Sequence, residues 1–141
     1  MAPIPRSKLF LLQQPDLQPI LPPLIHCSCQ DEVNNICQDQ KQKIVLKTQL
    51  KKRMAFYYDH LTGFDRNNPY FEFIDHIKDG NNRIACYSCR FNHVQNLGNL
   101  RILFVLDEKT PCFLYAFQEK RKSDYKHGLE VVKQRLKEIE G

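Results

Sequence analysis

The sequence contains no long hydrophobic run. A membrane-spanning helix needs about 18 or more apolar residues in succession, whereas the apolar stretch at residues 9–12 ends at Gln13. We therefore expect no membrane span, no secretion and a cytoplasmic location. The 141 residues are also too few for two full hydrophobic cores, because single domains commonly contain about 100 to 200 residues.

Proline is scarce beyond residue 25, since six of the eight prolines lie within the first 25 positions. Each proline removes a backbone donor and interrupts regular helix. We therefore interpret residues 1–30 as a proline-rich N-terminal arm and residues 31–141 as the folded domain. The arm is also rich in leucine and isoleucine, which predicts that it packs against the domain or a partner.

Disulfide bonds are not expected, because a cytoplasmic compartment keeps thiols reduced. The six cysteines are then free thiols or metal ligands. Cys27-Ser28-Cys29 lacks the C-x-x-C spacing of a zinc knuckle, and alternation along a strand points Cys86 and Cys89 to opposite faces. We therefore predict free cysteines, no bound metal and no other cofactor, and we keep a zinc-stabilised nucleic-acid adaptor as an alternative.

Positive charge is in excess over negative charge. The formal net charge is +5, and residues 83–127 contain eight lysines and arginines but only four acidic residues. Such an excess favours a polyanionic partner such as nucleic acid, although many soluble surfaces are mildly basic.

Apolar residues recur at helical spacing after Asp31, which predicts one long helix or a hairpin of two helices. They are Val33, Ile36, Cys37, Ile44, Leu50, Met54, Tyr57, Tyr58 and Leu61. The other side of this segment is basic, and we interpret it as a solvent-exposed helix face. Its residues are Lys41, Lys43, Lys47, Lys51, Lys52 and Arg53.

The second half of the chain contains three β-rich runs, residues 83–91, 100–106 and 112–117, separated by turn residues. Short connections join antiparallel neighbours, so these runs predict an antiparallel meander. An apolar stripe then predicts an amphipathic helix at about residues 124–139 that packs on the sheet. The stripe consists of Tyr125, Leu129, Val132, Leu136 and Ile139. The expected fold class is therefore α+β.

Three ordered motifs lie in this second half. They are Tyr87-Ser88-Cys89-Arg90-Phe91, Asn99-Leu100-Arg101-Ile102-Leu103-Phe104, and Phe117-Gln118-Glu119-Lys120 followed by Ser123-Asp124-Tyr125. In order and spacing they resemble toxins of the RelE/HigB type, which belong to the RelE/ParE superfamily of type II toxin–antitoxin systems. The resemblance covers about half of the chain, from about residue 70 to residue 140.

The resemblance implies a curved antiparallel sheet flanked by helices. It also implies a first strand and a helical hairpin at the start, where this chain carries its proline-rich arm. The implied activity is that of a ribosome-dependent endoribonuclease, which cleaves messenger RNA and blocks translation. The implied partners are messenger RNA on the ribosome and a cognate antitoxin protein that neutralises the toxin.

The same resemblance assigns candidate site residues. It implies catalytic roles for Arg90 and Arg101 on neighbouring strands, for Lys120 after the last strand, and for Tyr125 and His127 at the start of the final helix. Four further basic residues are predicted to bind RNA. They are Arg83, Arg121, Lys122 and Lys126.

The chemistry of RNA cleavage asks for similar residue types. Attack by the ribose 2′-hydroxyl needs a base, an acid for the leaving 5′-oxygen and fixed positive charge on the phosphate. Arginine suits the last role because its planar fork binds two oxygens and stays charged. The candidates for proton transfer are His127, His93, Tyr125, Glu119 and Asp124. None of them is a decisive general base, so a non-catalytic RelE/ParE-like binding module, either an inhibitor of a protein target or a degenerate toxin, stays open as an alternative.

Overall fold

The computed structural model describes residues 9–11, 23–59, 70–91, 99–107 and 110–140. Within these ranges six strands and three helices follow one another along the chain. They are β1 (Leu9–Leu11), β2 (Leu24–His26), α1 (Cys27–Ile36), α2 (Gln40–Asp59), β3 (Phe71–Asp79), β4 (Asn82–Phe91), β5 (Leu100–Asp107), β6 (Thr110–Gln118) and α3 (Ser123–Glu140). None of the helices in this part of the chain has the length and apolar character needed to cross a membrane.

The strands form one sheet in the order β1-β2-β6-β5-β4-β3. Strands β3 to β6 are an antiparallel meander, and its last three strands are the three runs predicted from the sequence. The α+β class is therefore confirmed. The sheet as a whole is mixed rather than wholly antiparallel, because β2 pairs in parallel with β6. The connection from β2 to the meander runs through two helices, which is long enough for a parallel pairing.

Part of the predicted arm belongs to this sheet. Strands β1 and β2 and the first turn of α1 lie within residues 1–30. Leu24 and Ile25 are buried in the cores on the two opposite faces of the sheet, because successive residues of a strand point to opposite faces. Strand β2 leads directly into the helices α1 and α2. The other residues of the arm, 1–8 and 12–22, lie outside the described residues.

Each face of the sheet carries its own hydrophobic core. Helices α1 and α2 cover one face, where Phe91, Ile102 and Phe104 are buried with Met54 of α2. Helix α3 covers the other face, where Leu103 is buried with other strand and helix residues. Strand β5 is central and contributes to both cores, which explains its nearly continuous apolar sequence.

The helices largely follow the predictions. The segment after Asp31 belongs to two helices, with a break between Ile36 and Gln40, and the final helix occupies residues 123–140. The predicted position Leu61 lies outside the described residues. Arg53 contradicts the prediction of a solvent-exposed basic face, because only 7% of it is exposed.

All six cysteines are free. Cys86 and Cys89 lie in the cores on opposite faces of the sheet, as strand alternation predicted. In the described part of the chain, no group of three or more histidine, cysteine or acidic side chains is arranged to hold a metal ion.

An ion pair joins α1 to α3 across the outer edge of β6. Strand β2 pairs with β6 at only two positions, so side chains bind the backbone beyond them. Arg135 Nη1 donates to the Leu114 carbonyl at 2.6 Å, and Glu32 Oε1 accepts from the Ala116 N–H at 3.2 Å. The Arg135 guanidinium and the Glu32 carboxylate also bind each other through two contacts of 2.7 Å. These side chains satisfy backbone groups that another strand would otherwise bind.

His26 is the N-cap of α1. Its Nδ1 accepts from the Ser28 N–H at 3.1 Å, and its Nε2 lies 3.4 Å from Glu138 Oε2 of α3. Because Nδ1 is an acceptor, the neutral ring carries its proton on Nε2. Burial, and then the charge of Arg135, lower the pKa of His26 below its ordinary value, while Glu138 partly opposes this shift.

Candidate functional site

Arg90 of β4 and Arg101 of β5 are direct cross-strand neighbours. Directly opposed residues in an antiparallel pair share one face of the sheet. Here it is the face covered by α3, because the adjacent residues Cys89 and Ile102 lie in the core on the opposite side. The two arginines therefore meet the geometric condition under which they can act on one phosphate.

Arg101 is held in a polar cluster rather than exposed to solvent. Its Nε donates to Glu119 Oε2 at 3.0 Å and to the Tyr125 hydroxyl at 3.1 Å. Its Nη1 donates to the Leu100 carbonyl at 3.1 Å. The Tyr125 hydroxyl in turn donates to the same Glu119 oxygen at 3.2 Å. These contacts make Arg101, Glu119 and Tyr125 one hydrogen-bonded unit, which we call the Arg101 cluster.

Tyr125 has a perturbed phenol. Burial is the largest effect and raises its pKa above the ordinary value of 10.0. The Ser88 hydroxyl and the positive charge of Arg101 partly offset this shift, and Glu119 adds to it. The phenol therefore stays protonated at neutral pH and is available as a proton donor, although its raised pKa makes it a weaker acid than an ordinary tyrosine.

A basic turn connects β6 to α3 beside this cluster. Lys120, Arg121 and Lys122 are all exposed. The backbone N–H groups of Lys120 and Arg121 both donate to Asp124 Oδ2, at 2.7 and 3.0 Å. These two hydrogen bonds lower the pKa of the Asp124 carboxyl. We call residues 120–122 the basic turn, and Lys126 adds a further exposed positive charge on α3.

Two of the predicted site residues lie away from the cluster. His127 is exposed and packs edge-on against Tyr115, with the ring centroids 6.0 Å apart. Residues two apart on a helix do not face each other, so His127 does not converge with Tyr125. Arg83 is exposed near the other end of β4, about 23 Å from Arg90 at about 3.3 Å per residue. The proton-transfer candidate His93 lies outside the described residues.

Arg90 is fixed through its backbone. Its N–H donates to the Tyr70 carbonyl at 3.0 Å, and its own carbonyl accepts from Arg53 Nε at 2.7 Å. The side chain is 30% exposed, and its Nη1 lies 3.8 Å from Glu72 Oε2. Arg90 is therefore the more accessible of the two paired arginines.

Arg53 holds the backbone of Arg90 in place, a role that the sequence did not indicate. Its guanidinium carbon lies 4.8 Å from the centroid of the Tyr70 ring and 4.9 Å from that of Phe91. Burial lowers the pKa of Arg53, yet the ring faces and two carbonyl acceptors, those of Arg90 and Gln49, stabilise its charge. In the sequence Arg53 ends a run of similar basic residues, so nothing distinguished it from its exposed neighbours.

No protein-family model matches the chain, and no curated protein or solved structure is significantly similar to it.

Proposed function

We propose that this protein is the toxin of a toxin–antitoxin pair and acts as a ribosome-dependent messenger RNA endonuclease. One observation carries the proposal. The paired arginines Arg90 and Arg101 share a sheet face with a protonated tyrosine, Tyr125, next to the exposed basic turn. The order of β2, two helices, the meander β3 to β6 and a final helix also supports this proposal.

Positive charge would act in two places. The basic turn is exposed and attracts the RNA backbone, because lysine and arginine release counterions when they contact phosphates. Arg90, which is paired with Arg101 on the sheet, would contact the phosphate at the cleavage position. Arg101 differs from the role that the resemblance implied, since its hydrogen bonds to Tyr125 and Glu119 make it first of all the residue that orients them.

Tyr125 would supply the proton to the leaving 5′-oxygen. A phenol with a raised pKa holds its proton at neutral pH, and Arg101 fixes its hydroxyl at one position. No described residue in the cluster is an equally clear base for the 2′-hydroxyl. On the ribosome, alignment of the messenger can supply part of the rate enhancement, since positioning alone contributes several kcal/mol, about 7–11 in favourable intramolecular cases.

A second candidate is the non-catalytic binding module. It is favoured by the pairing of Arg101 with Glu119, which places a negative charge where a catalytic site would need a positive one. In that case the protein would bind RNA or a protein target without cleaving either. An antitoxin partner fits both candidates.

The proposal is tested by induced expression in bacterial cells without an antitoxin. We expect the wild-type protein to arrest growth and translation. Arg90→Ala should relieve the arrest, because losing one donor to the transition state costs about 3 kcal/mol, or roughly 100-fold in rate. Lys133→Ala is the matched control, since it removes one exposed positive charge from the far part of α3. Equal arrest by folded Arg90→Ala and wild-type proteins would contradict the catalytic proposal.

A further inference from the structure

Two donors in the Arg101 cluster converge on a single oxygen. Arg101 Nε and the Tyr125 hydroxyl both bind Glu119 Oε2, at 3.0 and 3.2 Å. A guanidinium N–H and a phenol O–H that meet at one carboxylate oxygen present the same geometry to a phosphate oxygen. Glu119 thus occupies a position whose chemistry is that of an oxyanion site.

Glu119 can leave this position without disturbing the sheet. It is the first residue after β6, and its side chain is 24% exposed, compared with 10% for Arg101. Its backbone N–H is fixed separately by the Asn99 carbonyl at 2.9 Å. Rotation of the side chain therefore moves only the carboxylate into solvent and leaves the strand pairing in place.

Asp124, a few residues later, is a second carboxylate that binds hydrogen-bond donors. Its carboxylate binds the backbone N–H groups of Lys120 and Arg121, which are further donors suited to an anion. Both carboxylates come from residues 119–124, the segment that also contains the exposed basic turn. The basic turn would attract a polyanion to this segment. The hydrogen-bond donors there are already bound by carboxylates of the chain itself.

We propose that Arg101 and Tyr125 form a binding site for a phosphate oxyanion, and that Glu119 fills this site in the resting protein as an internal competitor. The phosphate that displaces Glu119 is a phosphodiester of RNA, an identification that rests on the proposed function. Inorganic phosphate shares the chemistry and serves as a second probe. Exchange of one carboxylate for one phosphate keeps both hydrogen bonds, so the affinity for phosphate is reduced by the energy needed to displace Glu119.

The binding test uses a fluorescent single-stranded RNA of ten nucleotides, 2′-O-methylated throughout so that it cannot be cleaved through the 2′-hydroxyl. Its affinity is measured by anisotropy at fixed ionic strength for wild-type protein, Glu119→Gln and Glu119→Asp. The aspartate keeps the charge but shortens the side chain by one methylene. Glu130→Gln and Glu130→Asp are the matched controls, because Glu130 is exposed on α3.

Both Glu119 variants should bind the RNA about tenfold more tightly than wild type, which corresponds to about 1.4 kcal/mol. The Glu130 variants should stay within about twofold, because a remote exposed charge is screened by salt. Tighter RNA binding by Glu119→Asp is especially informative, because this substitution leaves the net charge unchanged. Glu119 variants that bind no more tightly than the Glu130 variants would overturn the proposal.

An atomic readout accompanies the binding test. The Arg101 Nε–H signal in nitrogen–proton NMR, assigned by its loss in Arg101→Lys, is followed during titration with inorganic phosphate against chloride at equal ionic strength. In Glu119→Gln the signal should shift saturably, and in wild type it should shift only at higher phosphate. The same spectra show whether each variant is folded. Tighter RNA binding without a phosphate-dependent shift of this signal would also overturn the proposal.

Neither measurement requires a ribosome or cleavage. If the wild-type protein cuts no messenger RNA while the Glu119 variants bind phosphate more tightly, the proposed function fails and the masked oxyanion site stands. If cleavage is observed but the Glu119 variants show no gain, the reverse holds.

Discussion

Gly128→Ala tests how closely α3 must approach the sheet. A Cβ atom at Gly128 would lie 2.7 Å from Leu103 Cδ1 and 3.3 Å from Tyr115 Cδ2. Leu103 is fully buried, so it has little space into which to move, and such overpacking costs about 1–3 kcal/mol. Alanine gains about 1 kcal/mol over glycine in a helix. We therefore expect a net loss of about 1 kcal/mol in the free energy of unfolding, or about 3 °C in Tm.

The assay is chemical and thermal unfolding of Gly128→Ala, Leu103→Ala and the double variant. Leu103→Ala removes the methyl group that the new Cβ would meet, so the double variant should be more stable than the sum of the single effects by about 1 kcal/mol. The added methyl group should also push α3 away from the sheet. Because Tyr125 lies on the same helix, its hydroxyl should then move away from Arg101. A Gly128→Ala protein that is more stable than wild type, with additive effects in the double variant, would refute the close-packing argument.

Three further predictions concern the supports of the sheet. Glu32→Gln should lower the free energy of unfolding by about 2 kcal/mol in urea, because it removes the carboxylate that binds the largely buried Arg135 directly; an unchanged midpoint would contradict this. Arg53→Met should lower stability and reduce any activity that depends on Arg90, whereas Lys52→Met, an exposed neighbour, should do neither. Stability should also fall as pH drops below about 6.5, because the unfolded state binds a proton that buried His26, with its lowered pKa, does not. His26→Asn keeps a capping side chain and should flatten this pH dependence in thermal unfolding; an unchanged slope would exclude His26 as its source.

Local patterns were sufficient to predict much of the fold. Strands β4 to β6 and helix α3 are marked by alternation, turn residues and an apolar stripe, which are properties of neighbouring residues. The side-by-side position of Arg90 and Arg101 follows from those strands, because the β4–β5 connection is short. Long-range pairing was not predicted. The parallel contact of β2 with β6 joins residues almost 90 positions apart, and a three-residue strand after a proline-rich segment has little sequence signal of its own.

The candidate site was likewise predicted only in part. The sequence indicated which positive residues lie near one another, but it did not indicate which of them are already neutralised. Pairing of Arg101 with Glu119 and burial of Arg53 against Tyr70 and Phe91 depend on side chains that meet only after folding. A basic residue in a basic run looks the same whether it is exposed or buried, so charge pattern alone could not separate Arg53 from its neighbours.

The proposed endonuclease activity is measured as cleavage of messenger RNA on purified ribosomes. Ribosomes programmed with a defined messenger are incubated with purified protein, and new 5′ ends are mapped by primer extension. We expect cuts within the translated region that require the ribosome, and a loss of roughly 100-fold or more in cleavage rate for Arg90→Ala and for Tyr125→Phe. Lys133→Ala should cleave like wild type. Absence of ribosome-dependent cuts by the folded wild-type protein, or undiminished cleavage by Arg90→Ala and Tyr125→Phe, would contradict the proposal.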